Sequence, residues 1–241
     1  MIALCFLTYG NLSQTELWNR ELQKTALYNI YIHNKKPFCD HVTHFHDYCI
    51  DDIVPTKWGH ISLIHATLNL FKEAYENEEN EFFILLSDKC IPLHSLDVIH
   101  DKIKSINNNI IEGYLSEPYR YDYLENKAFF SKEKFYKQSQ FFVLKRHTMR
   151  FFVENNFTEV FGEKFSVPDE HYFINIFEKF RISYENKAAV YVNWKEGCDG
   201  HPKQYDVLDD DEVNSIKKDY LFMRKISNKC VLPKYFENFN P

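Results

Sequence analysis

The chain opens with Met-Ile-Ala-Leu-Cys-Phe-Leu-Thr-Tyr-Gly-Asn, residues 1–11, and this stretch sets the expected fold. Its apolar run ends at Leu7 and is followed by a polar turn at residues 8–11. A short, continuous apolar run that ends in turn residues predicts a buried strand. The run has no basic flank before it, and it is too short for a signal-peptide core or a membrane span.

Strands and helices alternate in the rest of the sequence. Strands are predicted at 28–33, 81–87, 139–144 and 189–194, and helices at 13–25, 60–77, 147–155, 166–177 and 210–219. We expect Ser13 to cap the first helix, with Glu16 closing a capping box. The alternation favours an α/β fold with a mainly parallel central sheet flanked by helices. Because ligands bind at the carboxyl ends of parallel strands, residues 8–11, 33–36 and 87–90 are predicted to form one rim of a binding site.

Length and composition indicate a single domain over residues 1–241. Of the 241 residues, 44% are hydrophobic and 17% aromatic, enough for a substantial core and unlike a disordered chain. The formal net charge of −6 gives no basic excess for binding nucleic acid. No run reaches the roughly 20 apolar residues of a spanning helix, so we expect a soluble, cytoplasmic chain, with membrane or secretory-pathway association left open. The six scattered cysteines are expected to be reduced, with disulfides left open for an oxidising compartment.

Common nucleotide-binding motifs are absent from the sequence. It holds no GxxxxGK[ST], which argues against a P-loop kinase or ATPase. It also holds no GxGxxG after the first strand and only six glycines, which argues against a dinucleotide-dependent oxidoreductase.

Two acidic or ligand-rich segments invite a metal interpretation. Residues 39–49 are dense in cysteine, aspartate and histidine, but they match no structural zinc spacing, and a polar surface loop is the simpler interpretation. Residues 209–211 are three aspartates that could mimic the metal motif of nucleotide-sugar enzymes. They stand before a predicted helix rather than after a buried strand, so complementing the helix dipole explains them more simply.

Asp169 and Glu170 admit a structural and a functional interpretation. They open a predicted helix that Ser166 is expected to cap, with Asp169 closing a capping box, so both acids could serve only the helix. Alternatively, Glu170 is a general base, because a helix N-terminus favours the ionised carboxylate that a base must be.

The late part of the chain carries a second set of candidates. Lys203, Arg224 and Lys225 form either a solvated basic surface or a clamp whose fixed charge offsets that of a departing diphosphate. Trp194 follows an apolar run and is either a core side chain or a platform on which a sugar ring stacks.

Several different short motifs are spread along nearly the whole chain. They are LCFLTYG at 4–10, LW at 17–18, IYIH at 30–33, WG at 58–59, FILLSDKCIPL at 83–93, KQSQFF at 137–142, DEHY at 169–172, VNW at 192–194, HP at 201–202 and LFMRK at 221–225. In this order they resemble the Core-2/I-branching enzymes, glycosyltransferase family 14, and most of all its short plant-type members.

The resemblance implies a GT-A-like fold and inverting sugar transfer, usually of N-acetylglucosamine and in some members of xylose, without an acidic metal motif. Glu170 falls on the family's catalytic base, and Lys225 falls on a basic residue that contacts the donor diphosphate. Lys203 falls near a second such residue, usually an arginine. Trp194 falls near an acceptor-contacting tryptophan, and Glu117 matches an acceptor-binding glutamate in a segment that aligns poorly.

The resulting hypothesis is a metal-independent, inverting glycosyltransferase that uses a nucleotide sugar, foremost UDP-N-acetylglucosamine, and no cofactor. Its acceptor is expected to be a hydroxyl of a glycan or glycoprotein, which Gln140 helps to bind. Residues 1–100 form the predicted nucleotide-sugar half and residues 101–241 the acceptor and catalytic half. The donor nucleotide is expected near Thr8, His33 and Asn34, and Arg224 is expected to join the two lysines on the diphosphate.

Departures from the family pattern lie close to the expected site. Gln138 stands where glycine is usual, Asp88 and Lys89 replace an acidic–serine pair, and Asn193 stands where plant-type members often have aspartate. Donor or acceptor preference is therefore expected to differ. Two alternatives stay open: a non-catalytic carbohydrate-binding or scaffold protein on the same fold, and a metal-dependent hydrolase built on residues 41–46.

Overall fold

Strand β1 (Ile2–Thr8) lies inside the molecule, and all of its side chains except Leu7 are buried. The computed structural model describes residues 1–36, 44–237 and 239. The further strands are β2 (Tyr28–Asn34), β3 (Phe82–Ser87), β4 (Ile91–Pro92), β5 (Asn109–Ile110), β6 (Gly113–Leu115), β7 (Tyr136–Gln138), β8 (Val143–Lys145), β9 (Tyr184–Glu185), β10 (Val190–Val192), β11 (Tyr205–Val207), β12 (Phe222–Arg224) and β13 (Ile226–Val231).

Helices connect most of these strands. They are α1 (Thr15–Gln23), α2 (Ser62–Glu76), α3 (Leu96–Ile106), α4 (Pro118–Tyr121), α5 (Arg146–Glu154), α6 (Thr158–Phe161), α7 (Tyr172–Phe180) and α8 (Asp210–Ile216). Single 3-10 turns occupy His44–Tyr48, Lys127–Phe129, Lys132–Lys134, Pro168–Glu170 and Lys234–Phe236.

The main sheet has six strands in the order β2-β1-β3-β8-β5-β9. Strand β1 pairs in parallel with β2 and β3, β8 runs antiparallel to β3 and β5, and β9 is parallel to β5. The fold is therefore mixed α/β with a mainly parallel sheet, as the alternation predicts. Thr8 is aligned with Asn34, and Leu7 with Ser87, so the carboxyl ends of three strands share one edge.

Each face of the main sheet is covered by its own hydrophobic cluster. Ala3 and Cys5 of β1 face a cluster that includes Phe71 of α2, Phe152 of α5 and Phe173 of α7. Their neighbours Ile2, Leu4 and Phe6 face a cluster that includes Trp18 of α1 and Ile99 of α3. Because successive side chains of a strand point to opposite faces, a strand that is covered on both faces has a continuous apolar sequence.

Smaller sheets extend this framework towards the C-terminus. Strand β12 lies between β10, to which it is parallel, and β4, to which it is antiparallel. Val192 and Arg224 are aligned partners in this sheet, so Arg224 lies close to the loop that carries Trp194. Strands β6 and β7 form an antiparallel pair, and β11 pairs in parallel with β13.

The structure corrects both predicted capping boxes. Helix α1 begins at Thr15 with no side-chain cap, because the Ser13 hydroxyl donates instead to the carbonyl of Ile226 at 2.9 Å. At the second site the predicted helix 166–177 is replaced by the 3-10 turn and α7, and Val167, not Ser166, precedes the turn without a side-chain cap. The predicted strand 139–144 is likewise shorter in the structure: only its last two residues are strand, at the start of β8, and β7 ends before it begins. By contrast, the Asp209 carboxylate does cap α8, accepting from the Glu212 N–H at 2.8 Å.

Within the described ranges, none of the helices combines the length and the apolar character needed to cross a membrane. Five of the cysteines fall in these ranges, and all five are free thiols: Cys5, Cys49, Cys90, Cys198 and Cys230.

Candidate active site

A cleft of about 790 Å³ opens at the carboxyl ends of β1 and β3. Both predicted halves of the chain line it. The residues that line it include Thr8, Trp58, Asp88, Tyr114, Lys137, Gln138, Gln140, Phe141, Asp169, Glu170, Trp194, His201, Arg224 and Lys225.

The strand ends form the floor of this cleft. Thr8 lines it, and its hydroxyl donates to Oδ1 of Asn34 on the neighbouring strand at 3.0 Å. His33 is fully buried, and its Nε2 accepts the N–H of Val54 at 2.9 Å. Of the three predicted donor-binding residues here, Thr8 therefore borders the cleft directly, whereas Asn34 supports it from behind and His33 lies in the interior.

The 3-10 turn Pro168–Glu170 brings Glu170 to the cleft. Val167, just before the turn, has a left-handed backbone with φ of 51°, and its N–H donates to the carbonyl of Gly59 at 2.9 Å. Gly59 also has a positive φ of 65°, and a Cβ there would lie 3.3 Å from the Val167 side chain. The Trp-Gly motif therefore serves two purposes: Gly59 permits this close approach, and Trp58 lines the cleft.

His171 anchors the turn from the interior. Its imidazole is fully buried, and burial lowers its pKa to about 4, so the ring is neutral at pH 7. Nδ1 donates to the carbonyl of Val167 at 3.1 Å, and Nε2 then accepts from the Ser116 hydroxyl at 3.1 Å. Phe135 stacks on the ring with centroids 5.4 Å apart. His171, the residue after Glu170, thereby fixes the orientation of the turn.

Glu170 is ion-paired inside the cleft. Its Oε2 lies 3.0 Å from Nζ of Lys137, and both side chains are about three-quarters buried. Burial acts to lower the pKa of Lys137, but the hydrogen bond and charge of Glu170 outweigh it, so that pKa is raised. The pKa of the neighbouring Asp169 is raised to about 7, first by burial and then by the charge of Glu170. The two adjacent carboxyl groups thus lie in different environments.

A basic group faces the same cleft from β12. The Arg224 guanidinium lies 4.6 Å from the centroid of the Phe141 ring, and burial lowers the pKa of the arginine. Asp88, after β3, also lines the cleft, and burial raises its pKa against the opposing charges of Lys89, Arg224 and Lys225. Backbone hydrogen bonds from Ser13 to Asp88 and from Ile226 to Lys89 hold these two segments together.

Lys203 occupies a different position from Lys225. Its Nζ lies 2.8 Å from Oε2 of Glu196, and it does not line the cleft. Its backbone N–H donates to the carbonyl of Asn193, one residue before Trp194. The Asn193 side chain is buried between Tyr205 and Glu196 and shapes this loop. Trp194 is 58% exposed and lines the cleft, so it is not a core side chain.

The predicted acceptor residues are only partly brought together. Gln140 and Trp194 line the cleft, whereas Glu117 does not; it is exposed and immediately precedes α4. Gln138, the residue that replaces the usual glycine, is buried, and its Oε1 accepts the N–H of Ile174 at 2.7 Å. Gln138 therefore ties β7 to α7.

The metal interpretations gain nothing from the described part of the chain. In it, no three histidine, cysteine, aspartate or glutamate side chains are grouped so that they could hold a metal ion. Cys39, Asp40 and His41 lie outside the described residues, so the segment 39–49 stays a prediction that only partly falls within the structure.

No local feature of the sequence indicates Lys137 as the partner of Glu170. The two residues are 33 positions apart, and only the fold places them together. The one sequence feature that marks Lys137 is its position as the first residue of the motif KQSQFF at 137–142. The predicted rim at 87–90 includes Asp88, which does line the cleft, whereas Trp58 has no predicted place in the site beyond its motif.

The sequence model of the family described as "Core-2/I-Branching enzyme" matches residues 2–218, most of the chain. A similar protein is "Glycosyltransferase BC10" of Oryza sativa subsp. japonica, 24% identical over 120 residues. That alignment covers 47% of this chain and 30% of the rice protein, so the chain spans less than a third of this relative.

Proposed function

This chain belongs to the Core-2/I-branching enzyme family, and we propose that it transfers a sugar from a nucleotide diphosphate to an acceptor hydroxyl with inversion. Glu170 is the general base, and Arg224 and Lys225 hold the diphosphate. The chain adopts a GT-A-like arrangement in this proposal, with the nucleotide over the ends of β1 and β3.

One arrangement carries the proposal. Glu170, Arg224 and Lys225 line the same cleft, although Glu170 and Arg224 are 54 positions apart in the chain. A general base and a cationic site for the leaving group are the two components that such a transfer requires. Exposed aromatic side chains at the cleft, Trp58 and Trp194, suit an acceptor sugar, because a sugar ring stacks on an indole.

The reaction balances with these residues alone. The acceptor hydroxyl gives its proton to the Glu170 carboxylate while its oxygen forms a bond to the anomeric carbon. The bond from that carbon to the diphosphate oxygen breaks on the opposite face, and its electron pair leaves with the nucleotide. Arg224 and Lys225 offset the added negative charge, and Glu170 then releases the proton to solvent. A positioned base contributes about 10²–10⁴-fold to such a step.

The donor and the metal requirement are parts of the same proposal. We favour UDP-N-acetylglucosamine as the donor and a glycan or glycoprotein hydroxyl as the acceptor, from the pattern of family motifs. Fixed cations take the place of a divalent metal ion at the diphosphate, because Arg and Lys side chains stabilise transferred negative charge in the same way. The site therefore calls for no cofactor.

The experiment is a transfer assay with UDP-N-acetylglucosamine and a set of glycan acceptors, run with and without EDTA. Wild-type protein is expected to form product equally in both conditions, and Glu170→Gln is expected to form almost none. Loss of transfer in EDTA that manganese restores would reject the metal-free part. Binding of glycans without any transfer or donor hydrolysis would instead favour the carbohydrate-binding alternative.

A further inference from the structure

We propose that Lys137 is a positioning residue for the general base: it holds Oε2 of Glu170, so that Oε1 alone receives the acceptor proton. The inference rests on the proposed function and extends it to a residue outside the base and the diphosphate site. Its starting point is the distance of 3.0 Å between Lys137 Nζ and Glu170 Oε2, inside a cleft that both residues line.

The fold fixes Lys137 in place. Tyr136, just before it, exchanges two hydrogen bonds of 2.8 Å with the side chain of Asn175 in α7. Gln138, just after it, accepts the N–H of Ile174 in the same helix. Because α7 follows directly on the turn that carries Glu170, the two charged groups are held by elements that are bonded to each other.

The partner strand β6 limits how far Lys137 can move. Tyr114 is its aligned neighbour on β6, and Gly113 beside it has no room for a side chain, since a Cβ would lie 2.7 Å from Ile174. Strand β6 is therefore pressed close to α7, with little freedom for β7 to shift. The Lys137–Glu170 pair therefore differs from an exposed ion pair, in which two long side chains lose conformational entropy when they are held in one geometry.

Lys137 contacts only one of the two adjacent carboxyl groups in the cleft. Asp169 and Glu170 are adjacent and both line the cleft, and two charged carboxylates in one site repel each other. Lys137 bonds Glu170, while Oδ1 of Asp169 is buried without a hydrogen-bond partner among the described residues. The ammonium thereby keeps the negative charge on Glu170, and burial keeps Asp169 largely protonated below pH 7. Lys137 retains its own protons throughout the reaction.

The test compares Lys137→Met, Lys137→Arg and the control Lys134→Met in the transfer assay. Lys134 is an exposed lysine three residues away. We expect Lys137→Met to lower kcat by about 10²-fold, the cost of misplacing a reacting group by about 1 Å. KM for the donor and the affinity for UDP are expected to stay unchanged, and Lys137→Arg is expected to recover most of kcat.

Three outcomes would overturn the inference. The first is a Lys137→Met variant with wild-type kcat. The second is a lowered kcat that arginine does not recover although circular dichroism shows both variants folded, and the third is a change confined to KM. In each case the wild type still transfers sugar and Glu170→Gln does not, so the proposed function stands. A wild type that transfers no sugar at all overturns the proposed function and this inference with it.

Discussion

The two walls of the cleft hold their charges in opposite ways. On the acidic wall, Glu170 is paired with Lys137, and the turn that carries it is bonded to Gly59 and anchored by His171. On the basic wall, Lys225 has no ion-pair partner within the described residues, and Nε of Arg224 is buried without a hydrogen-bond partner among them.

The difference indicates which wall already pairs the charged group that our proposal uses. A buried polar group that lacks a partner costs free energy unless a ligand supplies one. The acidic wall supplies Glu170 with an internal partner, which suits a base that must stay charged and oriented between turnovers, although Oδ1 of the adjacent Asp169 is buried without a hydrogen-bond partner among the described residues. The basic wall carries surplus positive charge, which suits a site that is completed by an anion. Catalysis in our proposal joins the two.

The largest expected effect comes from the acidic wall. Glu170→Gln keeps the shape of the side chain but removes the acceptor of the proton, so we expect transfer to fall by about 10²–10⁴-fold. Affinity for UDP should stay unchanged, because Glu170 does not contact the diphosphate in our proposal. Steady-state kinetics together with calorimetric UDP titration checks both. Glu163→Gln, an exposed acid seven positions earlier, is the matched control and should behave as wild type.

On the basic wall, Lys225→Met removes one unpaired cation. We expect transfer to fall by about 10²-fold, since removing one preorganised donor at a developing charge costs about 10²–10³-fold. The same assay measures it, with Lys229→Met, an exposed lysine on β13, as the control. A Lys225→Met variant as active as that control would mean that the diphosphate lies elsewhere.

Unfolding as a function of pH separates the two titratable groups of the acidic wall. Folding raises the pKa of Asp169 from 3.8 to about 7, so the stability it confers is present at low pH and is lost as pH rises through that window. Folding lowers the pKa of His171 from 6.5 to about 4, so its contribution is present above 6.5 and is lost as pH falls from 6.5 to about 4. The two contributions oppose each other between about pH 4 and 6.5.

Asp169→Asn removes the opposing contribution of Asp169, so the pH dependence of stability should then follow His171 alone. We expect its stability to rise from pH 4 to 6.5 more steeply than that of the wild type, and to exceed the wild type at pH 8 by about 1 kcal/mol or more, the value of a single pKa unit. Thermal or urea unfolding across this range measures the difference. Asp51→Asn, at an exposed position, serves as the control. Parallel curves for Asp169→Asn and wild type would contradict this description of the wall.

The smallest effect is expected at Lys203. Its ammonium is paired with Glu196 outside the cleft, and such exposed pairs contribute little because solvent screens them. Lys203→Met should therefore change transfer by less than about fivefold. A loss as large as that of Lys225→Met would show that Lys203 leaves Glu196 to bind the diphosphate, as the family resemblance implies.

Local sequence predicts the parts of this molecule that depend on local forces. The continuous apolar runs of β1 and β3 identify buried parallel strands, and the polar residues after them identify the edge where the cleft opens. The Asp209 cap involves only residues three positions apart, and it agrees with the interpretation of residues 209–211 as helix N-terminal acids.

Long-range contacts override the remaining local signals. Ser13 has the sequence of a cap, but its hydroxyl bonds Ile226, more than two hundred residues away, which α1 alone cannot reveal. Ser166 fails as a cap because the contact with Gly59 holds Val167 in a left-handed conformation. The Lys137–Glu170 pair depends in the same way on β7 packing against α7. The family motif points to Glu170 as the base, but only the fold shows that Lys137 is its partner.

The most direct test of the central claim is a calorimetric titration of UDP in EDTA-containing buffer, carried out on wild type, Glu170→Gln and Lys225→Met. If fixed cations hold the diphosphate while a separate carboxylate acts as base, the wild type and Glu170→Gln bind UDP equally well, and Lys225→Met binds it at least about tenfold more weakly. Binding that appears only after manganese is added, or a Lys225→Met variant that binds UDP like the wild type, would contradict the account.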